Sequence, residues 1–486
     1  MITRLKVNGF KNLVNVDLRF SEFTCIAGPN GSGKSNLFDA IQFLSLTAEK
    51  TIHEAALGIR GDGGKIASAD HIFCHSGKAG ERVIDFYVEM IVPKTAEDGL
   101  NQEANATFTF LTYELSIQER KSSSKSSLPL EIIKEQLSYL PWSKEPRNLN
   151  FKHSPDWRNS LKQVGKAGGR RDFFISTVSN DSEKCVIRRH QDGGSSGQPF
   201  PYLASNLPRT VLSTSNAAES PTALCAKREM ESWRFLALES SSLRTPDGFN
   251  DPTSIDSHGR HLPGALNRLI ESRAGGGDVS ARIARRLTEL VENVRAIELD
   301  KDEIREAYSI VVRDLSGNRI PARGLSDGTL RFLALAILEE DSSSTGVVCL
   351  EEPENGIHPK RVPAMIALLR DIAVDPSEPC DDDNPLRQVI INTHSPQVVS
   401  EVPDDSLVLV FDKNALYQEK VVQTPVFAGL PKTWRDRDGG EVISRGILLP
   451  YLNPIERHPA NPRNTHRVAD REDLQALLPF PLTTAS

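Results

Sequence analysis

The sequence is poor in cysteine and has no long apolar run. Its 486 residues include six cysteines, and no two of them form a C-x-x-C pair. The chain therefore predicts neither a disulfide framework nor a thiolate metal site of that spacing. Cys25 and Cys349 fall in predicted core strands, where a thiol packs as a small apolar group. The longest apolar stretch, near residues 332–338, is far shorter than the ~20 residues that cross a bilayer, so we expect no membrane segment.

The chain also lacks a secretory start and an excess of positive charge. Residues 1–7 alternate like a strand and lack the long apolar segment of a secretory signal, so we expect the protein in the cytosol. A formal net charge of -7 argues against a generally basic nucleic-acid-binding surface, although a local basic patch is compatible with it. The length suggests two lobes, at roughly 150 residues per domain.

One motif is complete, because residues 28–35 match the phosphate-binding pattern G-x-x-x-x-G-K-[ST]. A strand-like run, residues 23–27, precedes this P-loop, and apolar residues recur at helical spacing after it. The loop is therefore predicted at a helix N-terminus, where backbone N–H groups and the helix dipole favour phosphate. The residues expected to bind a nucleoside triphosphate are Gly28, Pro29, Asn30, Gly31, Ser32, Gly33, Lys34, Ser35 and Asn36.

Two side chains of this segment have distinct predicted roles. Lys34 is expected to reach the outer phosphates, and the Ser35 hydroxyl to ligate Mg²⁺. A P-loop alone does not distinguish kinases, GTPases and motor-like ATPases. Motifs further along the chain must make that distinction.

The first of these motifs is a hydrophobic run, residues 347–350, that ends in the paired carboxylates Glu351 and Glu352. A strand beside that of the P-loop would deliver both acids to one edge of the sheet. We predict that Glu351 supports the Mg²⁺ through water, and that Glu352 polarises the attacking water as a general base. The alternative is a strand that simply runs into an acidic loop.

Two further segments complete the pattern. Residues 324–329 precede an apolar helical face, so Ser326, Gly328 and neighbouring N–H groups would form a second positive pole suited to phosphate. Ser-Asp-Gly is also an ordinary N-cap and turn. Residues 389–396 resemble a buried strand with a polar tip, where His394 either contacts the γ-phosphate or has a structural role.

The order and content of these motifs resemble the ATP-binding-cassette (ABC) class of ATPase heads found in SMC and RecF proteins. The likeness is greatest to the OLD-type (overcoming lysogenization defect) ATPases of the AAA family. It is carried by residues 5–13, by residues 325–329, which are similar to the signature loop, and by residues 351–359, which are similar to the acidic motif. The resemblance covers residues 1 to about 80 and about 305 to 412.

In these families two heads meet head to tail and hold ATP between the P-loop of one and the signature loop of the other. The resemblance therefore implies ATP and Mg²⁺ as cofactors, a homodimer or larger homo-oligomer, and Ser326 acting in trans. Glu351 departs from the family, which often has Asp there, and this leaves the hydrolysis rate open. The family's metal-sensing glutamine is not identified, since Gln42 lies inside the helix that follows the P-loop.

We expect an α/β fold: an ABC-type P-loop NTPase head with a mixed sheet, interrupted by an inserted α/β or helical lobe and without a long coiled coil. Sustained heptads are missing, and glycines and prolines interrupt the middle of the chain. The clearest helices of the lobe are predicted over residues 131–140 and 282–297. The predicted units are the first part of the head (1–120), the inserted lobe (121–300), the second part of the head (301–415) and a C-terminal extension (416–486).

A basic segment, residues 144–171, lies among the aromatic residues Trp142, Phe151 and Trp157. Cations that neutralise phosphates and aromatics that stack on bases suit a DNA-binding surface. A solvated loop and a partner-docking face are the alternatives. A second and weaker basic face is predicted on a helix, from Arg282, Arg285 and Arg286.

No nuclease site is visible in the sequence. Asp436-Arg437-Asp438 follows no hydrophobic strand, and we predict a loop there. The resemblance therefore suggests the ATPase subunit of an anti-phage defence system, which senses DNA or a phage product and controls a separate effector such as a Toprim-type nuclease. A RecF-like DNA repair ATPase and a nucleotide-gated scaffold with little hydrolysis remain the alternatives.

Overall fold

The computed structural model describes residues 1–60, 69–74, 82–120, 130–142, 149–163, 173–179, 185–192, 197–272, 277–291, 293–437 and 439–443. Helices in these ranges are short, and α1, the longest of them, has 16 residues. None is long and apolar enough to cross a membrane. The helices are α1 Lys34–Glu49, α2 Ile52–Leu57, α3 Pro155–Leu161, α4 Pro221–Glu231, α5 Ser240–Leu243, α6 Leu262–Ser272, α7 Gly277–Leu290, α8 Asp327–Glu340, α9 Val362–Ile372, α10 Pro396–Glu401 and α11 Trp434–Arg437.

The strands of the described residues form two large sheets and two small ones. They are β1 Ile2–Asn8, β2 Val16–Arg19, β3 Phe23–Ala27, β4 Val83–Ile91, β5 Thr95–Glu97, β6 Glu103–Asn105, β7 Phe110–Glu119, β8 Leu130–Tyr139, β9 Phe173–Ser179, β10 Cys185–Arg189, β11 Phe200–Leu203, β12 Arg234–Leu236, β13 Asp247–Gly248, β14 Val294–Asp302, β15 Ala307–Asp314, β16 Arg319–Pro321, β17 Gly346–Glu351, β18 Arg387–Thr393, β19 Leu407–Tyr417 and β20 Lys420–Ala428.

The six-stranded sheet has the order β12-β17-β18-β3-β19-β20, and its first five strands are parallel. Alternate residues of β17 enter two different cores. Val347 and Cys349 pack in the core that contains residues of α1, whereas Val348 and Leu350 pack in the core that contains residues of α8 and α9. Helices therefore cover both faces, as the near-continuous apolar strands require. The carboxyl ends of β3, β17 and β18 meet at one edge.

The eight-stranded antiparallel sheet has the order β11-β10-β9-β8-β7-β4-β1-β2. It joins strands of residues 2–19 to strands of residues 83–203, so it crosses the division predicted at residue 120. The strands after residue 130 thus extend a sheet of the head rather than start a separate one. The expected α/β fold with a mixed sheet is confirmed, while the four domain boundaries stay a prediction.

The helix predicted over residues 131–140 is wrong, because these residues form strand β8. Its pairing with β7 contains a bulge at which Ile117 faces Ile132 and Ser116 faces Lys134. The bulge moves the buried positions from Leu130 and Ile132 to Glu135 and Leu137. Two runs of period two that are offset by one residue imitate helical spacing.

The helix predicted over residues 282–297 is correct only in its first part. Helix α7 ends at Leu290, and β14 begins at Val294. β14 pairs with β15 over nearly its whole length, so pairing with a later segment decides the state of residues 294–297. Where a loop was predicted, Trp434–Arg437 forms α11, while Asp438 lies outside the described residues.

Candidate nucleotide site

The P-loop follows β3 directly and leads into α1. The backbone N–H of Gly28 donates to the Thr393 carbonyl at the end of β18, at 3.2 Å. Gly33 is the N-cap of α1 with φ +86°, and a Cβ there would lie 2.9 Å from Pro425. Only glycine meets both conditions without strain. The sequence thus folds into the strand, loop and helix that the motif predicts, with the helix N-terminus at the loop.

Lys34 is folded back on its own loop. Its Nζ donates to the carbonyl oxygens of Gly28, at 2.7 Å, and Pro29, at 2.8 Å. Burial lowers the pKa of the Lys34 ammonium, although the charges of Glu352 and Glu351 oppose this. The ammonium therefore has acceptors that a phosphate could replace, and acidic neighbours that favour its charged form.

Ser35 and Glu351 meet at the end of β17. A hydrogen bond from the Ser35 hydroxyl helps to lower the pKa of the Glu351 carboxyl, and Asn392 donates to Glu351 Oε1 at 3.3 Å. A hydroxyl and a carboxylate are oxygen ligands of the kind that Mg²⁺ prefers. The two predicted metal-binding residues are thus close enough to share an ion, and their chemistry fits it.

Arg60, which sequence reasoning missed, lies on the same carboxylate. Its guanidinium donates to Glu351 Oε2 at 2.7 Å and Oε1 at 3.1 Å, and its Nε donates to Asp39 at 2.9 Å. Burial raises the pKa of Glu351, but the hydrogen bonds and charge of Arg60, together with the hydrogen bonds of Ser35 and Asn392, bring the net pKa below its usual value. The carboxylate is therefore ionised and paired in this conformation.

Glu352 has an unusual backbone conformation for a residue with a side chain, with φ +46°. Its N–H donates to the Asn392 carbonyl at 3.0 Å. Its carboxylate contacts His394 Nδ1 at 2.6 Å and accepts a hydrogen bond from Asn355 Nδ2 at 2.8 Å. Left-handed backbone at a non-glycine residue persists where the surroundings impose it, most often at functional sites. Glu352 is thus held in a fixed orientation by two side chains.

His394, which the sequence predicted at this site, does reach the acidic pair, and its contact is with Glu352. His394 follows β18, which lies between β3 and β17. The strand order explains the contact, because a polar residue at the carboxyl end of β18 is adjacent to the ends of both β17 and β3. Asn355 lies three residues after Glu352, but nothing in the local sequence indicates that the two side chains form a hydrogen bond.

The signature loop, residues 325–329, opens helix α8. Ser326 is its N-cap, and the Ser326 hydroxyl accepts a hydrogen bond from the Thr329 N–H at 3.2 Å. Gly328 packs tightly, since a Cβ there would lie 2.5 Å from the Gly356 carbonyl oxygen. The loop therefore rests on the segment that follows Glu352.

A cleft of about 710 Å³ contains the P-loop and the acidic pair. In the described part of the chain, neither Ser326 nor Gly328 lines it. Several residues without a predicted role do, and they include Phe38, Gln42, Phe235, His258 and Arg331. Of the two predicted phosphate-binding poles, only the P-loop lines this cleft, while Ser326 is exposed outside it and Gly328 is buried.

The predicted nucleic-acid segment does not expose its aromatic residues. Trp142, Phe151 and Trp157 are at most 5% exposed and share a core with Val374 and Trp434. They anchor the segment to the head and are not available for stacking on bases. Lys144, Arg147, Lys166, Arg170 and Arg171 lie outside the described residues.

The second predicted basic face is largely neutralised. Arg282 donates to Glu340 at 2.6 Å, and Arg286 pairs with Glu339 at 2.5 Å and with Asp371. These ion pairs attach α7 to α8 and α9. Arg285 is exposed.

Comparisons with known proteins agree with the positions of the motifs. Residues 228–400 match the family model described as "AAA domain, putative AbiEii toxin, Type IV TA system", and residues 1–58 match the "RecF/RecN/SMC N terminal domain". Over 46 residues the chain is 46% identical to the DNA replication and repair protein RecF of Bacteroides fragilis. That match covers 9% of this chain and 12% of the relative.

Solved SMC heads are also similar to this chain. An SMC head bound to the C-winged helix domain of ScpA is 13% identical with a TM-score of 0.43, covering 89% of this chain and 99% of that one. The SMC head domain from Thermotoga maritima is 12% identical with a TM-score of 0.32, covering 88% and 99%. Because these TM-scores are below 0.5, the fold assignment rests on the strand order and motif positions described above.

The two matched segments contain the P-loop, the signature loop, the acidic strand and His394. The P-loop, the acidic strand and His394 meet at the carboxyl ends of the parallel strands β3, β17 and β18, whereas Ser326 and Gly328 do not line the cleft. The chain therefore carries an α/β P-loop head, and its two matched segments are similar to the RecF/RecN/SMC N-terminal domain and to an AAA domain.

Proposed function

We propose that this protein binds ATP with Mg²⁺, hydrolyses the ATP and dimerises head to tail while ATP is bound. One observation carries the proposal: Lys34 comes from one segment and Glu351 and Glu352 from another, yet all three line one cleft, and His394 and Asn355 orient Glu352. A strand that merely ran into an acidic loop would not need that second set of hydrogen bonds.

The P-loop residues bind and orient the triphosphate. Backbone N–H groups at the start of α1 point towards its oxygens, and Lys34 leaves the Gly28 and Pro29 carbonyls for the outer phosphates. Ser35 and Glu351 would hold the Mg²⁺, which when bound neutralises charge on the β- and γ-phosphates. Arg60 must then release or share Glu351, since it contacts both carboxylate oxygens.

Glu352 acts as the general base. Its carboxylate accepts a proton from the attacking water, while His394 and Asn355 hold that carboxylate in place. Glu351 is paired with Arg60 and Ser35 and is therefore the weaker candidate for a base. The two adjacent carboxylates thus have different roles because they have different hydrogen-bond partners.

The composite site follows from the place of the signature loop. Neither Ser326 nor Gly328 lines the cleft of its own subunit, and Ser326 is exposed, so this loop would contact the ATP of a second subunit in trans. A homodimer with two such sites closes when both hold ATP, and hydrolysis opens it.

The cycle is proposed to control a separate effector, such as a Toprim-type nuclease, in cytosolic anti-phage defence, with DNA or a phage product as the trigger. Two points support this: the OLD-like motif order, and the description of the model that matches residues 228–400, which names a putative toxin of a toxin–antitoxin system. A RecF-like role in DNA repair is the second candidate, favoured by the 46-residue match to RecF. A nucleotide-gated scaffold with little hydrolysis is the third, because Glu351 replaces the usual Asp.

A phage challenge tests the defence proposal. Cells carry the chain with its neighbouring reading frames as wild type, as Lys34→Ala or as Glu352→Gln, and plaque formation is compared with that of cells carrying none. We expect protection by the wild type only, because both substitutions stop the cycle. Equal protection by all three would contradict an ATP-driven role, whereas turnover that DNA stimulates, without protection, would favour repair.

A further inference from the structure

Arg331 is the residue of helix α8 that enters the nucleotide cleft. It lies five residues after Ser326, the N-cap of the same helix, and lines the cleft together with Lys34 and Glu352. Ser326, at the N-terminus of α8, is thus exposed outside the cleft, while Arg331, in the second turn, lines the chain's own cleft. The same helix therefore carries both residues.

The guanidinium of Arg331 is only partly satisfied by the protein. Its Nη1 donates to the Asn355 carbonyl at 2.9 Å. Its Nε is buried and has no hydrogen-bond partner within the described ranges. A buried donor without an acceptor costs free energy, and a guanidinium that lines a cleft has the geometry to recognise phosphate oxygens.

The segment that Arg331 contacts joins the catalytic carboxylate to the signature loop. Asn355 donates to Glu352 Oε2 at 2.8 Å, and the Gly356 carbonyl packs against Gly328. Residues 355 and 356 therefore touch Glu352, Arg331 and the signature loop at once. On its outer side the loop is held by Arg244, which donates to Asp327 at 2.6 Å and to the Leu325 carbonyl at 3.0 Å.

We propose that Arg331 binds a phosphate oxygen of ATP in its own cleft and thereby positions its own signature loop for the second subunit. This inference rests on the proposed dimer and adds a condition for its formation. Each subunit presents Ser326 correctly to its partner only when its own cleft holds ATP. Arg331 is a positioning residue, because it acts on the partner's site through α8 and through residues 355 and 356.

The test uses the full chain in the Glu352→Gln background, where hydrolysis is blocked and the closed dimer accumulates. Arg331→Gln and Arg331→Lys are compared with Arg285→Gln, which removes the same charge from an exposed position on α7. Fluorescent ATP measures nucleotide affinity of the dilute monomer. Sedimentation velocity with Mg-ATP gives the protein concentration at half dimerisation, and thermal melting without nucleotide checks the fold.

We expect Arg331→Gln to change monomer affinity by less than about fivefold and to raise the half-dimerisation concentration by about tenfold or more, with melting unchanged. Arg331→Lys keeps the charge but cannot serve Asn355 and a phosphate together, so it should recover only part of the loss. Arg285→Gln should match its parent.

Equal half-dimerisation concentrations for Arg331→Gln and Arg285→Gln would overturn the inference. It would also fall if monomer affinity dropped as much as dimerisation, because Arg331 would then be a simple nucleotide ligand. If Glu352→Gln alone formed no ATP-dependent dimer, the proposed function itself would fail.

Discussion

Glu352 and Glu135 are two glutamates that differ in their location and in the groups that hold their carboxylates. Glu352 stands at the end of a parallel strand with φ +46°, its side chain is 31% exposed, and its partners are the side chains of His394 and Asn355. Glu135 is fully buried in the antiparallel sheet, where it accepts the N–H groups of Val211 and Leu212 at 2.7 and 2.8 Å.

These different surroundings imply that Glu352 serves catalysis and that Glu135 serves the stability of the fold. Glu352 has a strained backbone and a carboxylate that is reachable and oriented, so its substitution should change turnover and leave folding intact. The buried carboxylate joins residues 211 and 212 to β8, so its substitution should change folding and leave ATP binding intact. Variants of each region can break this distinction.

The largest effect on ATP binding is expected at the P-loop. Lys34→Ala removes the cation that reaches the outer phosphates, and loss of charge-assisted hydrogen bonds should lower ATP affinity about 100-fold or more. Titration with fluorescent ATP measures it. Lys50→Ala, at the exposed C-cap of the same helix, is the control and should bind normally. ATP affinity retained in Lys34→Ala would contradict the site.

The next effect concerns the second surface. Ser326→Arg adds a long side chain where the partner's ATP is proposed to bind, which should weaken ATP-dependent dimerisation about tenfold or more. Light scattering with Mg-ATP measures it, and Ser316→Arg, in an exposed turn, should dimerise normally. If Ser326→Arg instead destroys ATP binding by the monomer, the trans assignment is wrong.

A smaller effect tests the buried region. Glu135→Leu leaves the N–H groups of Val211 and Leu212 without an acceptor, which should cost about 2–5 kcal/mol of unfolding free energy. Urea denaturation measures it, with ATP affinity of the folded protein unchanged. Glu131→Leu, at a partly exposed position of the same strand where Glu131 pairs with Arg120, should cost less than about 1 kcal/mol. A loss of ATP affinity in folded Glu135→Leu would break the comparison.

The smallest expected effect is a pH dependence of stability. Burial raises the pKa of Glu135 to about 7, although its hydrogen bonds oppose this. The folded state therefore holds a proton that the unfolded state has lost, and this stabilisation disappears as pH rises through about 7. Between pH 6 and 8 the unfolding free energy should fall by about 1 kcal/mol. The fall should be absent in Glu135→Gln, and an equal fall there would assign it to another group.

The sequence predicted the parts of the site that local signals encode. The P-loop, the paired acids and the polar tip at His394 each combine a strand with a chemically distinctive end, and parallel strands bring such ends together. Arg60, Asn355 and Arg331 were missed because only the folded chain gives them partners.

Elsewhere long-range packing overrode the local pattern. The bulge in β8 made alternating burial resemble helical spacing. Trp142, Phe151 and Trp157 suggested a surface for bases, but residues far along the chain, among them Val374 and Trp434, bury them. Neither the bulge nor that packing leaves a signal in the local sequence.

The central claim is that Glu352 is the base of a site that closes between two subunits. Its most direct test compares wild type with Glu352→Gln, measuring ATP turnover and, by light scattering, mass with and without Mg-ATP; Glu401→Gln, at an exposed position, is the control. We expect Glu352→Gln to lower turnover about 100- to 10,000-fold while an ATP-dependent dimer or larger assembly accumulates. Unchanged turnover and unchanged mass would contradict the claim.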